Sequence, residues 1–340
     1  MFDVIGVSAV AGLFFYLLRS VGFVGDEYYP WTTTPRVAAF QATRLTTSTF
    51  KIVEYDDIYN EQPFIYAKVF PDVLILIDSG CGGATENPDI NVKELREFLE
   101  TIPIAHNKGE PLNAGGRRKY GIITTHCHYD HILAIDQFAN DSVIFASSHS
   151  PSFLSPKNFP KNSLCERLGI ETPSYTPTLV PHNVSLSYMN TATRLRFLHT
   201  PGHTPDELAI WDDDEDILYV GDTVYEWDPI IFPLQGDISV WFDSMNFLIE
   251  FVRERNEQNY KRGRPTARIN SGHATSMADA LDVLLEGKKF LQDVVAGNEP
   301  LKNRTESGGV VQVHYAQENG RFSLRCPEAL IEEARTDYKP

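Results

Sequence analysis

The string His126-Cys127-His128-Tyr129-Asp130-His131 puts four metal-binding side chains within six positions. Imidazoles and a carboxylate packed this densely are costly to bring together unless a cation offsets their polarity. In an extended segment His126 and His128 point to the same side, because side chains alternate with a period of two. Asp130 and His131 follow where the chain turns into a helix, so one short loop can offer two ligands to one cation and two to its neighbour. Three further ligand types stand downstream, each at the mouth of a strand-like run beside Gly or Pro, where a turn begins. They are His203 in Thr200-Pro201-Gly202-His203, Asp222 in Tyr219-Val220-Gly221-Asp222 and His273 in Asn270-Ser271-Gly272-His273.

This order, HxHxDH, then His, Asp and His, resembles the metallo-β-lactamase superfamily, and the likeness runs from about Asp78 to His273 through five separate motifs. The resemblance implies two adjacent metal sites. His126, His128 and His203 would form the first; Asp130, His131 and His273 the second; Asp222 would bridge both. The implied cofactor is a pair of divalent metal ions. Nitrogen and carboxylate ligands suit zinc foremost, and also manganese, iron or cobalt. Asp78, in Ile77-Asp78-Ser79-Gly80, matches the family's first motif and is expected to hold a ligand histidine in its tautomer. Thr125 and Thr204 flank ligands; they either support them in the same way or only cap the local backbone.

Two cations about 3.5–4 Å apart lower the pKa of a bridging water, so that hydroxide is available at neutral pH to attack a polarised carbonyl. Asp130 is the expected catalytic group, ligating and also relaying a proton to the leaving group. Tyr225 stands three residues after Asp222, a spacing similar to that of acyl-homoserine lactone lactonases, in which the phenol contacts the substrate carbonyl and can stabilise an oxyanion. The alternative is that Tyr225 simply packs at the start of a loop. Trp227, Phe232, Trp241 and Phe242 form either an apolar wall for an acyl chain or aromatic ring, or ordinary core. The expected function is opening of a lactone or lactam ring or a related small ester; a benzoxazolinone-type xenobiotic is one such substrate. Alternatives of the same fold are an iron-dependent oxidoreductase, a thioester hydrolase like glyoxalase II, and a non-catalytic scaffold. Ile132-Leu133-Ala134 stands where many members carry paired glycines, which sets the chain apart from glyoxalase II.

Composition agrees with a small-molecule enzyme. Thirty basic against 46 acidic residues give a net charge of −16, a poor footprint for nucleic acid, where clustered Lys and Arg must neutralise phosphates. Four cysteines in 340 residues make no disulfide framework, so a reducing, cytoplasmic setting is expected. Cys127 reads as a filler within the ligand loop, and Cys81, Cys165 and Cys326 as buried or half-buried thiols. The acidic run Asp212–Asp216 lies between two strands and reads as a solvated hairpin tip, and the basic stretch Arg253–Arg264 as a solvated helix end and loop.

The elements that must position these ligands alternate between apolar strands and amphipathic helices. Strands are expected at Phe64–Phe70, Val73–Ile77, Tyr120–Thr124, Ser142–Ala146, Leu195–Leu198, Leu208–Trp211, Ile217–Val220 and Ala267–Ile269. Helices are expected at Val92–Leu99, Ile132–Phe138, Met245–Arg255 and Met277–Val295. Asn319-Gly320 between Val310–Tyr315 and Phe322–Leu324 is a hairpin signal. The second half repeats the first, which agrees with the α/β, four-layer αββα sandwich that the resemblance implies, built of two pseudo-repeated halves with ligands on loops at one edge. The domain is expected to span 36–340, with an inserted Pro-rich region at 147–181 that carries a small helix around Leu164–Leu168. Residues 1–35 read as an apolar helix and an aromatic linker. The apolar run Val4–Leu18 falls short of the roughly twenty residues a spanning helix needs. Packing, including a homodimer contact, is therefore expected over a membrane anchor.

Overall fold

The computed structural model describes residues 36–337; the helix, linker and dimer contact expected within residues 1–35 lie outside the described residues. A seven-stranded sheet runs, in spatial order, Phe40–Arg44, Thr49–Glu54, Phe64–Val69, Val73–Ile77, Lys119–Ile123, Val143–Ser147 and Thr178–Val180. Its first four strands form an antiparallel meander, and the last three each join their neighbour in parallel. The second sheet is ordered Ser276–Asp279, Arg268–Asn270, Ile217–Tyr219, Leu208–Asp212, Thr191–His199 and Val184–Tyr188. A third, smaller sheet joins Pro229–Ile231, Ser323–Pro327, Val310–Ala316 and Leu301–Ser307.

The strand Val73–Ile77 shows why the sheets stack. All five of its residues are buried, as expected for a strand covered on both faces. Val73, Ile75 and Ile77 pack with Phe197, Ile210 and Tyr219 of the second sheet. Leu74 and Leu76, on the opposite face, pack with Leu95, Phe98 and Leu99 of the outer helix Leu95–Thr101. The far face of the second sheet is covered by the helices Ile238–Lys261, Ala280–Ala296 and Glu328–Asp337. Helix, sheet, sheet and helix therefore form the four layers, each half supplying one sheet and its cover.

Several expected bounds shift for local reasons. The helix expected at Met245–Arg255 spans Ile238–Lys261, because Asp237 caps its start by accepting from the Val240 N–H and its first turns bury Ile238, Trp241 and Phe242. The region 147–181 is less of a loop than its Pro and Ser content suggests. The small helix expected around Leu164–Leu168 is present at Cys165–Leu168; a second lies at Phe159–Asn162, and Thr178–Val180 completes the first sheet. Within the ligand string only Tyr129–Ile132 is α-helical, followed by a 3-10 turn at Ile135–Gln137.

The acidic run Asp212–Asp216 corrects its expected reading. It is a hairpin tip in which only Asp214 is exposed. Asp212 is fully buried and 2.5 Å from the Lys68 ammonium, and Glu215 lies 2.8 Å from the same ammonium. Glu215 also accepts hydroxyl hydrogens from Thr46, Ser48 and Thr49. The run closes the gap between the two sheets, and Arg264 and Arg255 of the basic stretch pair with Asp216 and Asp213. Among the described residues no helix is long and apolar enough to cross a membrane.

Candidate metal centre

All seven expected ligands converge on the edge where parallel strands end. Asp78 follows Val73–Ile77, His126 follows Lys119–Ile123, Asp222 follows Ile217–Tyr219 and His273 follows Arg268–Asn270. The carboxyl ends of parallel strands are where such sheets present ligand-binding loops. His126, His128 and His203 form one cluster and Asp130, His131, Asp222 and His273 the other, with the candidate ligand atoms of each within 4.8 Å of one another. In the first, His128 Nδ1 lies 3.0 Å from His126 Nε2 and 3.1 Å from His203 Nε2. In the second, Asp130 Oδ2 is 3.2 Å from His273 Nε2 and 3.3 Å from His131 Nε2. Asp222 faces both ways: its Oδ1 is 3.4 Å from His131 Nε2, and its Oδ2 is 4.0 Å from His203 Nε2.

Except at His128, the far ring nitrogens are held by the protein, which fixes the nitrogens that converge. His131 Nδ1 bonds Asp78 Oδ2 at 2.9 Å, His203 Nδ1 the carbonyl of Ile231 at 2.7 Å, and His273 Nδ1 the carbonyl of Glu61 at 3.1 Å. Asp78 adopts a left-handed backbone with φ 64°, a conformation that aspartate tolerates better than most residues. There its carboxylate also accepts from the Thr125 N–H and hydroxyl. The Thr125 oxygen in turn lies 3.1 Å from His126 Nδ1, so Thr125 supports the ligands rather than only capping a turn. Close approach is built into the loop backbone. A Cβ at Gly202, whose φ is 149°, would stand 2.5 Å from the Trp241 backbone. The substitution Gly202→Ala is expected to lower stability by about 1–3 kcal/mol through overpacking and to displace His203; urea denaturation and metal content would measure the two effects.

The two clusters differ electrostatically. In the first, burial and neighbouring imidazoles hold His128 down at about 3 and push His126 well below the ordinary histidine value, so each ring is neutral and keeps one lone pair for a metal. In the second, burial opposes charge on His273, but Asp222 and Asp130 outweigh it and raise the imidazole to about 9. Burial opposes charge on His131 too, but Asp130, Asp222 and Asp78 outweigh it and raise that imidazole well above its usual value. The carboxylates thus draw positive charge to this spot. His131 Nε2 and Asp222 Oδ1 are buried there without a hydrogen-bond partner. Buried polar atoms are normally satisfied, and a divalent cation would satisfy both while displacing the imidazole protons. The residues therefore fit two metal ions.

Other expected site residues fall as follows. Cys127 is buried against Ala146, Phe153 and Leu154, and burial followed by Asp206 raises its thiol well above the usual range. Tyr225 is buried with its ring 5.6 Å from that of His273, and its hydroxyl donates to the carbonyl of Pro229 at 3.0 Å. Of the four aromatics, Phe232, Trp241 and Phe242 are core, whereas Trp227 is 64% exposed. Sequence reasoning missed Glu61, whose carboxylate accepts from the Tyr129 hydroxyl while its own carbonyl bonds His273. It also missed Glu207, fully buried beneath the ligands. The only signal for Glu207 was an acid opening the apolar strand Leu208–Asp212, two residues after Pro205.

Comparisons with known proteins accord with this geometry. The family model described as "Metallo-beta-lactamase superfamily" matches residues 69–288. The avaE protein of Aspergillus versicolor, named as a candidate transcription factor, is 33% identical over 310 residues, covering 88% of this chain and 89% of that protein. The human acyl-coenzyme A thioesterase MBLAC2 is 26% identical over 192 residues, covering 52% of this chain and 64% of the relative. Among solved structures, a metallo-beta-lactamase family protein from Thermus thermophilus superposes with a TM-score of 0.52 at 19% identity, over 76% of this chain and 86% of the other, a likeness of fold.

Proposed function

The chain belongs to the metallo-beta-lactamase superfamily, and from that premise we propose that it opens a lactone or lactam ring, or cleaves a related small ester, with two divalent cations. The observation that carries this reading is the division of the Asp222 carboxylate, one oxygen toward His131 and the other toward His203. A structural zinc site would instead be closed, most often with cysteine ligands. Two cations held here would supply an activated water and a Lewis acid for the scissile carbonyl.

The chain's own groups then divide the work. Asp130, held by His131 and His273, points its carboxylate into the second cluster and accepts a proton from the attacking water. Tyr225 enters the reading if its hydroxyl exchanges the Pro229 carbonyl for the substrate's carbonyl oxygen. Trp227, Ile231 and Leu234 expose apolar surface on the segment that follows Asp222, which suits an acyl or aryl portion. Glu61 holds His273 through its backbone carbonyl, while burial and then Asp130 raise its carboxyl above the ordinary glutamate value. The net charge of −16 disfavours polyanionic acyl carriers and favours a small neutral substrate.

A second reading, thioester hydrolysis, is favoured by the human relative named as an acyl-coenzyme A thioesterase. A nucleic-acid role of the kind suggested by the name of avaE is opposed by the net charge of −16. The experiment is turnover of a panel of lactones, lactams, esters and thioesters, with metal content measured on the same sample. Ring opening with about two zinc or manganese ions per chain is expected. Preference for thioesters would move the assignment to the second reading. One iron per chain without hydrolysis would sink both.

A further inference from the structure

Glu207 is the largest unexplained group near the centre. It is fully buried, and its Oε2 lies 3.6 Å from His126 Nδ1, the nitrogen that also faces the Thr125 hydroxyl. Its other oxygen, Oε1, accepts the backbone N–H of Asp222 at 3.1 Å. Thr204, next to ligand His203, places its hydroxyl 3.4 Å from Oε2. One carboxyl group therefore reaches a first-cluster histidine, the threonine beside another, and the backbone of the carboxylate that faces both clusters. The chain makes room for it at Gly221, where a Cβ would lie 2.5 Å from Glu207 Oε1. A carboxyl without a lysine or arginine partner is costly to bury. For packing alone, an apolar residue would fit this site better.

We infer that Glu207 is a positioning residue of the metal centre, fixing the backbone from which Asp222 reaches both cations and steadying the His126 ring. It plays for His126 and Asp222 the part that Asp78 plays for His131 and Thr125, so two buried carboxyl groups support the two clusters. This inference rests on the reading that the seven residues hold two cations.

The test is chelator competition, giving the affinity of both cations, on the wild type, Glu207→Ala, Glu207→Asp and Glu207→Gln, with thermal unfolding of the metal-free proteins alongside. Glu207→Ala is expected to bind the more weakly held cation about 10–100-fold less tightly. Glu207→Asp keeps the carboxyl group but withdraws the oxygen from Asp222 and should weaken binding similarly, which keeps the test alive if Ala does not fold. Glu207→Gln retains an oxygen for the Asp222 N–H and should recover most of the affinity. A purely structural role would lower the unfolding temperature and leave these affinities unchanged. Wild-type affinities in Ala and Asp, or a Gln variant as weak as Ala, would overturn the inference. A wild-type protein that binds fewer than two cations would instead remove the reading beneath it.

Discussion

An Asp130→Asn protein is expected to remain folded and to lose about 10²–10⁴-fold in kcat on the best substrate of the panel. The carboxylate sits 3.2 Å from His273 Nε2 and 3.3 Å from His131 Nε2. Burial opposes its charge, but the two imidazoles outweigh burial and hold it well below the ordinary aspartate value. A cation that replaces the imidazole protons would likewise keep Asp130 a carboxylate, the form that ligates and can accept a proton. Asparagine keeps the shape and one acceptor oxygen, so the loop can still pack, but it can neither take that proton nor return it to a leaving group. Its amide is also a poorer ligand, so one cation should bind more weakly. Measuring kcat at saturating metal separates the two losses. Activity within tenfold of wild type under those conditions would take Asp130 out of proton transfer and leave it only a ligand.

The ligands were legible because their chemistry forces a local pattern. HxHxDH must be contiguous to serve two cations from one loop, and His203, Asp222 and His273 must each follow a strand that ends at the same edge. The apolar strands were legible for the same kind of reason: Val73–Ile77 is buried on both faces, and its expected bounds are those observed. The strands Phe40–Arg44 and Thr49–Glu54 escaped notice because they mix Gln, Thr, Arg and Lys with apolar residues. Their identity as strands comes from pairing with Phe64–Val69 across the sheet. Glu207 and Lys68 escaped for a deeper reason. A charged residue in a sequence reads as surface, and only the tertiary fold brings Lys68 to Asp212, residues 144 positions apart. The acidic run was misread by the same rule, since five acids in a row look solvated until a lysine from another sheet is seen among them.

That lysine carries the second large prediction. Lys68 is 3% exposed and lies within 2.8 Å of carboxylate oxygens on both Asp212 and Glu215. It shares the face of its strand with Tyr66, which packs between the sheets. Asp212 ends the strand that Glu207 precedes, so this ion cluster clamps the edge of the sandwich opposite the metals. Replacing Lys68 with methionine would leave two carboxylates without their cation, and breaking a buried pair in this way costs about 3–5 kcal/mol. Urea denaturation of the metal-free protein should show that loss. The affinity for metal in the protein that remains folded should not change, because the clamp and the ligands sit at opposite strand ends. The pH dependence carries a sign of its own. Burial alone would raise the Glu215 carboxyl, but Lys68 and the hydroxyls of Thr46 and Thr49 bring it down to about 2 from 4.5. A depressed carboxyl contributes stability that is complete above its unfolded value and is lost as pH falls through the folded one. The wild type should therefore lose stability between about pH 4.5 and 2 on account of Glu215, a slope that Lys68→Met should flatten. A variant as stable as wild type at pH 7 would mean that the sheets are held by apolar packing alone, with the ion cluster a passenger.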